Sequence, residues 1–380
     1  MKSLKSLGAA LCVLAAGALH ADDNIVQIHG FGGWSYGKAS DNSYVTATPT
    51  GNAKTAEFAL NISARPYDRL SVIAQVHLDT FTKKTELDYG FAEWQATDQL
   101  KIRAGRVKHP FGLYGEVYNV GTVRPFQILP QSLYGPLGFT AQAYNGAGLT
   151  GTKRFGKWEV LYDLYAGSID GEYGLALPPS PTAVPAPNPN NSPWQDIGFT
   201  YNDIVGGRVH VTTPVDGLMI GASGFKGKDN FATSTALLEV DRTVYLGSAE
   251  YAHGPLTLRA EYGHGESKSL HTTKGKYVEG SYRIGPKWQL AARWERADLD
   301  VPGFASSFAG PMASTLYHED KAVGVNYWFN ANFVLRANYH MVEGNRISHA
   351  ESNREMLRQL STGALDTDTN ALIVGAQFSF

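Results

Sequence analysis

Residues 70–79 read Leu70-Ser71-Val72-Ile73-Ala74-Gln75-Val76-His77-Leu78-Asp79. In an extended chain successive side chains point to opposite sides, so Leu70, Val72, Ala74, Val76 and Leu78 share one face and Ser71, Gln75, His77 and Asp79 the other. The same two-residue period puts Phe58, Leu60 and Ile62 opposite Glu57, Ala59, Asn61 and Ser63. It puts Leu256, Leu258, Ala260 and Tyr262 opposite Thr257, Arg259 and Glu261. At the end of the chain Leu372, Val374, Ala376, Phe378 and Phe380 alternate with Gly375, Gln377 and Ser379. One such strand could belong to a soluble sheet. About a dozen in succession predict a closed all-β sheet, apolar outside and polar inside, as in a transmembrane antiparallel up-and-down β-barrel.

The connections sharpen this expectation. Short turns are predicted at 65–70, 96–100, 155–158, 213–218, 252–256, 284–288 and 329–333, each supplied with Pro, Gly, Asp or Asn. Longer, more polar links are predicted between them, at roughly 38–53, 80–85, 109–141, 168–196, 228–241, 263–273, 299–317 and 343–369. The alternation implies about 16 strands with both termini on the short-turn side. Trp94, Phe155, Trp158, Trp288, Trp328, Phe329 and Phe333 cluster at the short turns, as a girdle at the lipid headgroups would. Seven prolines between Pro178 and Pro193 mark the link 168–196 as an exposed loop, and 351–360 could form a helix with Met356, Leu357 and Leu360 on one face.

The first residues fix the expected compartment. Lys2 and Lys5 precede an apolar run from Leu7 to Leu19, too short for a membrane helix, and Ala16-Gly17-Ala18 has the small-x-small pattern of a cleavage site. Residues 1–21 are therefore expected to be a cleaved secretory signal and 22–380 the barrel. The single cysteine, Cys12, lies in that signal, so the mature chain would have neither disulfides nor thiolate chemistry. Net charge is −2, and loss of Lys2 and Lys5 makes it more acidic, which offers nothing to nucleic acid. Charged residues are only 18% of a chain with 41 Gly and 20 Tyr, a balance that suits a barrel better than a soluble helical protein.

The link 109–141 carries unusual apolar content for a solvent loop: His109-Pro110-Phe111-Gly112-Leu113-Tyr114-Gly115-Glu116, then Arg124-Pro125-Phe126 and Leu129-Pro130-Gln131-Ser132. Folded back into the lumen, it would bury those groups and narrow the passage; packed over the mouth or at a subunit contact, it would also bury them. Alternation places Arg65, Lys101, Arg103, Arg259, Arg283, Arg293 and Arg336 inside, with Glu57, Asp79, Glu159, Asp163, Glu261, Glu279 and Glu295. Opposed charges of this kind would set up a transverse field. As members of wall salt bridges, the same residues would be structural.

The stretch Leu100 to Tyr134, with Gly105-Arg106-Val107-Lys108-His109-Pro110-Phe111 at its centre, resembles the strand-to-constriction-loop passage of bacterial porins. It is closest in motif to the phosphate-selective porin group, where Gly-x-x-Lys-x-Pro-Phe ends a strand. The resemblance implies a passive, trimeric outer-membrane channel for small hydrophilic solutes or ions. Its terminal aromatic, Phe380, would be read by the barrel-assembly machinery. It puts Arg103, Arg106, Lys108, Glu116 and Arg124 at the constriction, and the repeated arginine ladder that phosphate selectivity would need is not evident. No cofactor or metal is implied: Gly146 to Gly151 matches a dinucleotide fingerprint without a following helix, and 366–370 lacks the Gly and Glu of a calcium loop. The other readings are a gated or substrate-specific barrel, an adhesin or structural barrel, and a surface hydrolase using rim residues such as His264, Ser267, His271 or His340.

Overall fold

The computed structural model describes residues 26–80, 83–135, 139, 141–176, 191–232, 237–302 and 310–380; the expected signal segment lies outside them. Among the described residues sixteen strands close into one antiparallel barrel. They are β1 (Val26–Ala39), β3 (Asn52–Tyr67), β4 (Leu70–Asp79), β5 (Lys84–Thr97), β6 (Leu100–Lys108), β7 (Ala143–Phe155), β8 (Trp158–Ala176) and β9 (Trp194–Thr212), followed by β10 (Leu218–Ala232), β11 (Leu237–His253), β12 (Leu256–Ser267), β13 (His271–Ile284), β14 (Trp288–Asp300), β15 (Tyr317–Asn330), β16 (Phe333–Glu343) and β18 (Asp368–Ser379). Two-residue strands β2 (Ser43–Tyr44) and β17 (Ser348–His349) pair with each other outside the barrel sheet. The seam is made by β1 and β18, in register from Phe31 opposite Ser379 to Ala39 opposite Ala371. Gly30 and Phe380 exchange backbone hydrogen bonds of 3.0 and 2.9 Å just beyond it.

Burial follows the two-residue period because only one face of each strand meets packed protein. On β13, Tyr277 and Glu279 are buried while Val278 and Tyr282 are half exposed. Trp94, Phe155, Trp158, Trp288 and Phe329 are exposed on the outside near the short turns. Trp328 is the exception, 6% exposed, with its Nε1 donating to Gln289 Oε1 at 3.1 Å. It follows the lumen side of the alternation that puts Phe329 outside.

Several strands run further than their hydrophobic pattern. β8 and β9 pair through Ala176 and Trp194, so much of the link expected at 168–196 is strand. The prolines start only at Pro178, after the ladder ends, and 177–190 lies outside the described residues. Likewise β10 extends to Ala232, β11 begins at Leu237, and β12 and β13 leave only 268–270 between them. Backbone pairing does not require alternating apolarity, so a ladder continues into water after the lipid-facing pattern has stopped. The link after β4 is as short as a turn, since β5 starts at Lys84.

Short helix α1 (Gln131–Tyr134) lies in the long link after β6, and α2 (Asn353–Ser361) occupies the expected helical segment. The Ser352 side chain caps α2 by accepting from the Glu355 amide at 3.2 Å. Met356 is buried at its underside, but Leu357 is 47% exposed. The face expected to hold both holds Met356 and, one turn on, half-buried Leu360; Leu357 points about 100° away.

Val278 is near the middle of β13 and faces outward. Val278→Arg should therefore cost roughly 2–4 kcal/mol in lipid vesicles, read by reversible urea unfolding. A cost near zero would mean that this wall does not face hydrocarbon.

Candidate functional site

The described residues between His109 and Gln142 fold into the lumen. The sequence permits this because its apolar side chains have a complementary patch inside the wall, around Phe225 and Tyr165, where the alternation places rings instead of charges. His109 and Phe111 are fully buried there, with His109 Nε2 2.7 Å from the Tyr165 hydroxyl and the Phe111 ring 6.2 Å from that of Phe225. Burial pushes the His109 imidazole down to about 3, aided by the nearby Arg208 cation, so this ring is neutral.

A loop in a lumen must still satisfy its amides and carbonyls. Wall side chains do so here. Glu261 accepts from the Leu113 amide at 2.9 Å and from the Tyr134 and Tyr277 hydroxyls at 2.6 and 2.8 Å. Glu295 accepts from the Ser132 amide at 2.7 Å, and Asn338 from the Gln127 amide at 2.7 Å. Arg293 donates to the Ile128 carbonyl at 3.0 Å, Arg336 to that of Arg124 at 2.6 Å, and Asn326 to that of Pro125 at 2.8 Å. Glu279 accepts from the Tyr114 hydroxyl at 2.7 Å. Gly112 is where the approach is tightest. Its φ is +61°, and a Cβ there would lie 2.1 Å from the Tyr134 hydroxyl oxygen and 2.7 Å from Glu261.

These contacts divide the charges expected inside into two groups. Arg293, Arg336, Glu261, Glu279 and Glu295 are each under 5% exposed, lying beneath the loop where they fasten it. Lys108, Glu116 and Arg124 line the remaining cavities, and Arg103 reaches them through Glu116. Arg103 bridges Glu93 at 2.8 Å and Glu116 at 3.4 Å, and Lys108 donates to the Glu116 carbonyl at 2.7 Å. Lys101 completes the row at 2.7 Å from Glu93. Arg106 stands apart, donating to the carbonyls of Leu87 and Asp88 on β5. At the short-turn end, Arg65 is exposed beside a register shift, Glu159 pairs with Arg154, and Arg283 sits 4.6 Å over the Trp328 ring. None of these three reaches the constriction.

The residue that the expected set lacks is Arg208. It is 5% exposed and links Asp163, at 2.8 Å, to Glu116 on the loop, at 2.5 Å. Burial opposes ionisation of Glu116, yet Arg208, Arg103 and Lys108 together hold its carboxyl below the usual range. The signal was present in Arg208-Val209-His210-Val211, whose alternation puts Arg208 inside beside Gly207.

Among the described residues, cavities lie on both sides of the loop. An outer one of about 320 Å³ is bordered by Glu57, His77, Asp79 and Arg124, and an inner one of about 240 Å³ by Glu116, Arg208, Glu250 and Arg259. Between them a space of about 10 Å³ is bordered by Lys108, Glu116, Tyr118 and Asn119, scarcely room for one water. Tyr118 and Asn119 also line the outer cavity and Glu116 the inner one, so the spaces adjoin at this part of the loop.

Barrel and infolded loop define a class by fold: a closed sixteen-stranded antiparallel β-barrel with the porin-like architecture. Within it, residues 221–380 match the model of the family described as phosphate-selective porin O and P. OmpT, an outer membrane protein of Vibrio cholerae, is similar in structure at 15% identity, covering 95% of this chain and 99% of that one with a TM-score of 0.56. A further structure of it, described as a trimer form, matches with a TM-score of 0.54 at 14% identity, covering 93% of this chain and 99% of that one. An anion-selective porin from Comamonas acidovorans gives 0.57 at 11% identity, covering 93% and 99%. No curated protein matches the chain in sequence.

Arg208→Ala would leave Asp163 buried without its cation and free Glu116. The expected loss is roughly 3 kcal/mol, toward the low end for a broken buried pair because Glu116 keeps some water. Unfolding of the refolded variant in urea measures it, and a loss below about 1 kcal/mol would show the pair to be dispensable.

Proposed function

We propose that this protein is a passive, water-filled channel through which small hydrophilic solutes or ions cross the outer membrane. The observation that carries the reading is the infolded loop with its narrow gap at Lys108, Glu116, Tyr118 and Asn119, between two wider cavities. A loop fastened by Glu261, Glu279, Glu295, Arg293 and Arg336 is a fixed constriction, which limits solute size without consuming energy. Selectivity then falls to Arg103, Lys108, Glu116 and Arg124 around the gap, with Glu57, Asp79 and Arg259 lining the approaches and Arg208 and Asp163 holding the electrostatics in place. Arg106 and Arg283 act on the wall and the mouth.

The mature channel would begin after the signal segment 1–21. It would assemble as a homotrimer, a reading supported by the trimer form of OmpT, and present the exposed Phe380 to the assembly machinery. A channel is favoured over a surface hydrolase by the arrangement at the rim. The Ser267 hydroxyl, which donates to Asp229 at 2.5 Å and accepts from Arg242 at 3.0 Å, is fully buried. A nucleophile must be reachable by its substrate.

The direct test is single-channel current of the refolded, signal-free protein in a planar bilayer, with reversal potential across a potassium chloride gradient. Steady ohmic steps, in threes for a trimer, are expected, and deletion of 115–123 should raise the conductance severalfold. A well-folded but silent barrel would overturn the channel. An unchanged conductance in the deletion would move the constriction elsewhere.

A further inference from the structure

The outer cavity is lined by opposite charges that form no ion pair with each other. One is Glu57 of β3, whose nearest ionic neighbour is the His77 ring at 3.8 Å. The other is Arg124 of the infolded loop, which donates Nη1 to the Tyr118 carbonyl at 3.1 Å while its Nε has no hydrogen-bond partner. Among the described residues no carboxylate lies within ion-pair contact of Arg124, although both side chains line the same space of about 320 Å³. Gln127 lines it too; only 7% exposed, it has an Oε1 with no partner.

Such an arrangement is costly if left unfilled, because partly desolvated charges and amides need partners. Other lumen cations close on carboxylates: Arg103 on Glu93, Arg208 on Asp163 and Arg259 on Glu250. Arg124 and Glu57 form no ion pair: the Arg124 backbone is held to β16 through Arg336, and Glu57 projects from β3. A lone anion at Arg124 would have its far side toward Glu57 and be repelled. A lone cation at Glu57 would face Arg124, with Arg336 behind it. A solute carrying both charges a few ångströms apart satisfies both groups.

Resting on the channel reading above, we propose that the outer cavity is a binding subsite for zwitterionic solutes of amino-acid size. The carboxylate accepts from Arg124, the ammonium donates to Glu57 and to Gln127 Oε1, and the solute enters the constriction already oriented. The volume is about ten times a water's share of about 30 Å³, enough for one such solute.

Calorimetric titration of the refolded protein in detergent tests this without relying on conduction. The probes are L-alanine and 4-aminobutyrate, set against acetate and methylammonium at equal ionic strength. At least one zwitterion should bind saturably and about tenfold or more tighter than either half-ligand. Glu57→Gln and Arg124→Gln should each weaken it by a similar factor. Should Arg124→Gln not refold, Glu57→Gln decides alone, because Glu57 forms no ion pair with the loop. No saturable zwitterion binding, acetate or methylammonium binding equally well, or unaffected variants would overturn the subsite. A conducting channel without calorimetric binding removes the subsite alone. A silent bilayer with intact binding removes the channel reading and leaves the subsite.

Discussion

Everything in this molecule depends on backbone groups having no partner in hydrocarbon. An unpaired N–H or C=O in the bilayer core costs several kcal/mol, so a sheet there must have no edge. The β1–β18 seam removes the edge, and it does so between the two ends of the barrel sequence. Closure then dictates the rest. The outer face must be apolar, the inner face must be filled or wet, and a wall of sixteen strands is too wide for its own side chains to fill.

The filling is the link from His109 to Gln142, which solves the same backbone problem a second time with different donors and acceptors. In the wall, amides and carbonyls are paired by neighbouring strands. In the loop they are paired by wall carboxylates, guanidinium groups and amides such as Glu261, Glu295, Arg336 and Asn338. Many charges that alternation places inside are therefore fasteners, and the field in the passage is left to a smaller set around Glu116, Arg124 and Glu57.

This distinction limits what the sequence could convey. The barrel, its strand number and its short turns were legible because lipid imposes a period of two that Leu70 to Asp79 displays openly. Strand ends past Ser168 were not, since hydrogen-bonded ladders continue where the hydrophobic pattern stops. The apolar content of 109–141 announced burial, and the structure resolves that burial in favour of the lumen over the mouth. Which inward charges touch solute was beyond the pattern: Glu261 and Glu57 have the same alternation, and only the path of the loop separates a fastener from a lining residue. Arg208 was legible in principle from Arg208-Val209-His210-Val211. Its partner Glu116 is 92 residues away, and no local period links them.

The fastening of the loop also has a mechanical meaning. A thin-walled tube resists lateral squeezing poorly, because flattening it into an oval needs only bending of the wall. Here one strut begins on β6, touches β9, β12, β13, β14, β15 and β16, and returns to β7. It braces opposite sides of the tube against each other, so lateral pressure from the bilayer is carried by the brace as well as by wall curvature. The aperture that the loop defines is thereby kept to one shape by the element that defines it.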